Sequence, residues 1–375
     1  MRVIERGTIF DATAAEPTAR FCTFPSLART AGGRLIAGFR VGSSKDSADE
    51  DVRVMVSDDE GATWRMAFAG FGAFPPGSGG RIRGIALTPL GSRLIASLLW
   101  VDRSNPALPL ASPQTQGILP TRVLVAWSDD EGRSWSMPQE VSLAPHKGNA
   151  TTGAILALND GRLALPYEAW KEYDDPGPGL HHAALRISAD RGATWDELAI
   201  VAHDPQGRVL YWDQRLTVDP LSGELIAMFW TYDRRAQRDL DIHIAWGLPD
   251  GRTWSQPAST GIAGQICAPL GLGHGRVFAA YVHRHHPPSL RAILSDDFGR
   301  TWTAAEELVF YEKVRGGAES GMGGVRAFGD YWADMSIWTF GHPAPLLLPG
   351  GDVMVAYYAG DETAMGIHWV RIACT

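Results

Sequence analysis

Cysteine is scarce in this chain: Cys22, Cys267 and Cys374 are the three among 375 residues, and no two stand at a CxxC spacing. So odd and sparse a set gives neither a disulfide framework nor a thiolate metal site, and it reads as buried thiols in a reducing cytoplasm. Basic runs are missing too. The chain has 34 Lys and Arg against 42 Asp and Glu, a formal net charge of -8. Nothing in that balance favours nucleic acid or an anionic membrane as a partner. No apolar run approaches the roughly 18 residues of a membrane span. The opening Met1-Arg2-Val3-Ile4-Glu5-Arg6-Gly7 carries charge where a secretion leader needs an apolar stretch, which again leads us to expect a cytoplasmic location. Long windows of helical amphipathic period are absent. Glycine (42) and proline (24) are plentiful, as a turn-rich all-β protein requires.

Self-similarity then decides the architecture. The phrase Ser-x-Asp-x-Gly-x-Thr/Ser-Trp runs from Ser57 to Trp64 and returns at Ser128 to Trp135, Ser188 to Trp195 and Ser295 to Trp302. Leu248 to Trp254 is a degenerate fifth copy without the Ser. A second phrase, a Gly-Arg-Leu turn and an apolar strand, begins at Gly33, Ser92, Gly161, Gly223, Gly275 and Gly351. Each unit reads strand, tight turn, strand, loop, strand, Asp-phrase turn, strand. Six such units of four antiparallel strands predict a six-bladed β-propeller spanning residues 1–375 as one domain. The sixth unit lacks its Asp phrase and last strand. The segment Arg2 to Phe10 can supply that strand and close the ring, removing a sheet edge that would invite aggregation.

The Asp phrase has the mechanics of a hairpin. The Asp accepts backbone N–H groups of its own turn, the Gly takes positive φ, and the Trp packs on neighbouring strands. Five copies around a ring make Asp59, Asp130, Asp190, Asp250 and Asp297 scaffold residues, since one catalytic acid needs no such repetition.

Spaced in this way over the whole chain, the phrase resembles the Asp box, or BNR repeat, of the sialidase (neuraminidase) superfamily. The resemblance implies a sialidase-like propeller and retaining glycoside hydrolysis, with a Tyr nucleophile activated by a Glu, a carboxylic general acid and three arginines that clamp a substrate carboxylate. In register against the Gly-turn phrase, Asp46 falls nearest the general acid, with Asp49 the alternative in the same loop. Thr23 and Trp230 stand at two of the clamp arginines, His342 at the nucleophile, Asp213 at the activating Glu, and Tyr358 at a family carboxylate.

Loops opposite the Asp phrases surround the mouth of the ring, and their residues suit an acidic or polyhydroxylated sugar. Aromatic faces stack on pyranose rings while charged groups fix orientation. Second-strand exits offer Arg40 with Asp46, Trp100, Glu168, Trp230, His283 with Arg284, and Tyr358. First-strand entrances offer Arg83, Thr152, Asp213, Arg215, Gln265 and His342. The run His283 to His286 has no partner at metal-ligand spacing, so no metal and no cofactor are expected.

Three functions fit these residues. An exo-acting glycoside hydrolase would use Asp46 or Glu168 as acid, assisted by Asp213, His342 or Tyr358, on a terminal acidic sugar. A polysaccharide lyase would use His342 with Tyr358 beside a uronate clamped by Arg284 or Arg215. A non-catalytic propeller would bind a glycan. Carbohydrate is the expected partner in each.

Overall fold

The computed structural model describes residues 1–151, 153–313 and 325–374. Six antiparallel sheets follow one another around a ring, forming a six-bladed β-propeller. Blade one, for example, runs Thr23–Arg29, Leu35–Val41, Asp51–Ser57 and Arg65–Phe68, from the axis outward. Blade six is made of Phe340–Leu347, Val353–Gly360 and Met365–Ala373, and its outermost strand is Arg2–Phe10, paired antiparallel with Met365–Ala373. The two ends of the chain therefore meet in one sheet, as the repeats predict.

The second strand of each blade explains the ring. Every residue of Leu35–Val41 is buried. Successive side chains of a strand point to opposite faces. Accordingly Leu35, Ala37, Phe39 and Val41 pack against blade six, while Ile36 packs against blade two. In blade six, Val353, Val355 and Tyr357 face blade five, and Met354, Ala356 and Tyr358 face blade one. The core is divided into six apolar clusters, one at each boundary between neighbouring blades. A strand that is apolar on both faces needs a neighbour on each side, and a closed ring gives every blade two.

The four complete Asp phrases share one set of hydrogen bonds. In the first, the Ser57 hydroxyl donates to Asp59 (2.8 Å) and accepts the Gly61 N–H (2.9 Å). Asp59 also accepts the Thr63 N–H (2.8 Å) and hydroxyl (2.6 Å). The copies at Asp130, Asp190 and Asp297 repeat this. The fifth copy keeps only a tighter turn, in which Asp250 accepts the Arg252 N–H at 2.8 Å.

One element differs from the sequence expectation. Phe328–Ile337 is an α-helix. Phe328, Tyr331, Trp332 and Met335 fall at i, i+3, i+4 and i+7 and pack against the cluster between blades five and six. The period is real but lasts only ten residues, too short to stand out in a long window. Its first turn is held by Asp330, which accepts the Ala327 N–H at 3.2 Å.

Asp130→Ala and Gly132→Val should each lower stability by about 1–3 kcal/mol, read by thermal melting. Gly132 has φ +87°, and a Cβ there would lie 3.1 Å from Val54. Melting unchanged in both would contradict the scaffold role of the phrase. Deleting residues 1–10 bares the edge of Met365–Ala373 and should abolish soluble monomer on size-exclusion chromatography.

Candidate active site

The innermost strands do not run straight past the axis. Pairing with the second strand slips between Thr23 and Ser26, between Ile82 and Gly84, between Trp212 and Arg215, and between Gly341 and Ala344. Each slip is a bulge that releases a side chain from the ladder. The residues released include Phe24, Arg83, Asp213 and His342, and all four line one cavity of about 360 Å³ at the mouth of the ring. Phe24, Asp213 and His342 hold φ at 54°, 48° and 47°. Non-glycine residues seldom sit in the left-handed region, and where they do the strain commonly marks a functional site.

Around these four, the rest of the lining divides by chemistry. Lys45 and Asp46 come from the loop after the second strand of blade one, and Tyr358 stands near the end of the second strand of blade six. Apolar lining comes from Pro109, Leu110 and Ala111, from Trp230, and from Trp332 and Met335 of the helix.

Asp213, Arg215 and His342 form a chain. The Arg215 guanidinium reaches Asp213 at 3.3 Å and His342 Nδ1 at 3.1 Å. Arginine only donates, so Nδ1 is the acceptor and the neutral imidazole carries its proton on Nε2. Burial, then Arg215, Lys45 and Arg284, hold the His342 imidazole well below its ordinary range. His342 meets Phe24 edge-on at 4.5 Å and stacks on Tyr358 at 5.9 Å. Tyr358 lies 3.3 Å from Lys45 Nζ, which also donates to the Trp338 carbonyl at 2.6 Å. Burial pushes the Asp213 carboxyl up to about 6, with Arg215 opposing the rise and Glu168 adding to it. Among the sequence candidates, Asp46, Arg83, Asp213, Trp230, His342 and Tyr358 are thus brought together, with Arg215 bonded to two of them.

Asp46 meets three donors. It pairs with Arg83 (3.3 Å) and Arg103 and accepts the Leu110 N–H at 2.8 Å. Burial raises its pKa, but Arg83, Arg103 and that amide outweigh burial and hold it below the ordinary range. A carboxyl so held stays ionised, which suits an anchor for the 109–113 segment better than the proton donor expected from register.

The remaining candidates lie away from the lining, each for a visible reason. Arg40 is fully buried against Glu50 at 2.8 Å. Trp100 is in the core between blades one and two, its indole N–H given to the Phe74 carbonyl. His283 bonds the Pro287 carbonyl at 3.2 Å beside His285. Gln265 is buried and accepts from Arg284, whose guanidinium stacks on Trp338 and Phe340 and donates to the Phe340 carbonyl. Glu168 accepts the Gln214 N–H at 2.8 Å, behind Asp213. Thr152 lies outside the described residues. Sequence reasoning missed Lys45, Phe24, Trp338 and the helix. Lys45 adjoins Asp46 and could have been found by asking which cation of that loop can reach inward.

A ring of six blades with four Asp-box turns and a charged cavity on the opposite end is the sialidase-like class of propeller. The BNR repeat-like domain family matches residues 110–313, just over half the chain, and the chain belongs to that family. No curated protein sequence matches it. Among solved structures it is similar to a protein of unknown function from Dyadobacter fermentans, at 20% identity over 99% of each chain with a TM-score of 0.72. It is similar to the Hadza microbial sialidase Hz136, at 17% identity over 98% of this chain and 68% of that one, with a TM-score of 0.67. It is also similar to Trypanosoma rangeli sialidase in complex with sialic acid, at 14% identity over 99% of this chain and 59% of that one, with a TM-score of 0.66. At such identities the likeness is one of fold.

Glu50 is fully buried among Arg40, Arg83 (2.5 Å) and Arg103 (2.7 Å). Glu50→Gln should cost about 3–5 kcal/mol at neutral pH by leaving buried guanidiniums uncompensated. Burial alone would raise the Glu50 pKa, but the three arginines bring it below the ordinary range. A depressed folded-state pKa gives stability that is full above the unfolded value, near 4.3, and fades as pH falls below it. Denaturation measured from pH 7 to pH 3 should therefore show a steep acid loss in the wild type and a shallower one in Glu50→Gln. Equal slopes would contradict the assignment.

Proposed function

We propose that this chain is a glycoside hydrolase of sialidase-like fold that removes a terminal acidic sugar, with Asp213 as the proton donor. The observation that carries the reading is the placement of Asp213. It is a buried carboxyl whose pKa burial pushes up to about 6, on a strained bulge facing a cavity of about 360 Å³. A cavity of that size takes a terminal sugar rather than a long chain segment. Lys45 and Arg83 on its lining favour a substrate anion.

In the reaction, the glycosidic oxygen leaves with the proton of Asp213 as its bond to the anomeric carbon breaks. Water completes the exchange: its hydroxyl goes to the anomeric carbon and its proton to the protein. His342 offers an N–H from Nε2, and Tyr358 a hydroxyl beside the Lys45 ammonium; both can hold sugar oxygens or developing charge.

The same pair keeps a lyase in view, since His342 and Tyr358 stack at 5.9 Å. Elimination from a uronate needs a base with a free lone pair. The Nδ1 lone pair of His342 is taken by Arg215 at 3.1 Å, and its other nitrogen bears the proton, which favours hydrolysis.

The test is mass spectrometry of products from aryl glycosides of hexuronic, deoxy and sialic acid sugars. Hydrolysis adds the elements of water to the sugar, elimination leaves an unsaturated uronate, and a binding protein leaves the substrate intact. We expect the water adduct, with turnover falling as pH rises through about 6 because the acid form of Asp213 is then lost. Asp213→Asn should reduce turnover by about 10²- to 10⁴-fold. An unsaturated product, or turnover that survives Asp213→Asn, would overturn the reading.

Sialic acid itself should be a poor substrate. Thr23 is fully buried, and Trp230 gives its indole N–H to Asp239 at 2.8 Å, so neither supplies the bidentate cation that the family's clamp uses. Efficient release of sialic acid in the same assay would contradict this.

A further inference from the structure

Asp213 owes its position to a contact across a blade boundary. The residue after it, Gln214, is fully buried in the same bulge. Its backbone N–H points at blade three and is accepted by Glu168 at 2.8 Å. Its side-chain amide donates to the carbonyls of Tyr167 (2.6 Å) and Ala184 (3.1 Å), also in blade three. A bulge leaves a backbone N–H without its ladder partner, and such a group, once buried, has to be satisfied elsewhere. Glu168 does this for the strand that carries Asp213.

Behind Glu168 stands His181, with 4% of its surface exposed. Its Nε2 lies 3.5 Å from the second carboxylate oxygen of Glu168, and neither ring nitrogen has a hydrogen-bond partner among the described residues. The His181 ring also stacks on Trp212, the residue before Asp213, at 6.0 Å. The bulge is thus gripped on both sides of Asp213, by Glu168 at Gln214 and by His181 at Trp212.

We propose that Glu168 is a positioning residue, backed by His181, which fixes the bulge so that Asp213 faces the cavity. This rests on the reading of Asp213 as the acid. Glu168 is absent from the cavity lining and acts through Gln214 rather than on substrate. It has an electrostatic effect as well. The titratable and charged groups around Asp213 are Arg215 on its own strand, Glu168 and His181 from blade three, the neutral His342 of blade six through Arg215, and Lys45, Asp46 and Arg83 on the lining of the same cavity. The negative charge of Glu168 raises the Asp213 pKa and so helps keep the acid protonated.

The test uses the whole protein and two readouts that need no substrate. One is the titration of the Asp213 carboxyl carbon by NMR, with its signal assigned by loss in Asp213→Asn. The other is hydrogen exchange at the Gln214 amide. Glu168→Gln keeps an acceptor oxygen, so exchange should stay slow while the Asp213 titration moves down by about one pH unit. Glu168→Ala should speed Gln214 exchange and lower turnover by about 10²-fold. Slow exchange and an unmoved Asp213 titration in Glu168→Ala would overturn the proposal. A chain that cleaves no glycoside would instead sink the hydrolase reading, and exchange and titration would still decide the role of Glu168.

Discussion

Each blade carries a second strand that is apolar on both faces, and the packing of these strands against two neighbours is the constraint on which the molecule depends. Leu35, Ala37 and Phe39 have one partner sheet and Ile36 another. With six such strands, no blade can end the series without baring a core-sized apolar face. Closure follows, and the Arg2–Phe10 strand laid on Met365–Ala373 is the seam by which the chain achieves it. The Asp-box turns serve the same end from outside, each holding the hairpin to the outer strand with bonds made inside one turn.

Closure also crowds the innermost strands around the axis. At the mouth of the ring four bulges interrupt the ladder, and the residues they release supply Phe24, Arg83, Asp213 and His342 to the cavity. Three of these have left-handed backbone, a cost of about 1–3 kcal/mol each that the surrounding ring has to override. The buried cluster of Glu50 with Arg40, Arg83 and Arg103 belongs to this support. It fixes Arg83 from behind and, through Arg103 and Asp46, ties down the segment that includes Leu110. Rigidity at the rim and the lining of the cavity thus come largely from different residues, and the charged side chains most conspicuous in the sequence mostly serve the first.

The fold was legible because its signals are local and repeated. A Ser-x-Asp-x-Gly turn makes its bonds within a few residues, so its sequence is nearly its structure, and the same holds for the Gly-turn hairpins. The candidate site was legible in part. Asp213, His342 and Tyr358, chosen by counting along strands from the repeats, all line the cavity at the mouth of the ring. Arg40, Trp100 and His283 were misplaced by the same count, since the direction of a side chain at a strand end depends on bulges that no local pattern announces. Phe24 and His342 each precede a proline, a context that disfavours the helical region and gives no hint of positive φ. The pairing of Glu168 with Gln214 joins residues 46 positions apart on different blades. The helix Phe328–Ile337 was missed for its brevity, although its apolar period is plain once those ten residues are taken alone.

On the proposed reading, the inner-strand bulges build the substrate site at the end of the ring opposite the Asp boxes. A crystal structure of the chain soaked with a hexuronic acid monosaccharide tests it most directly. One sugar is expected in the cavity, within hydrogen-bond reach of Asp213 and in contact with His342 and Tyr358. A sugar held elsewhere on the ring, with that cavity left to solvent at saturating ligand, would contradict it.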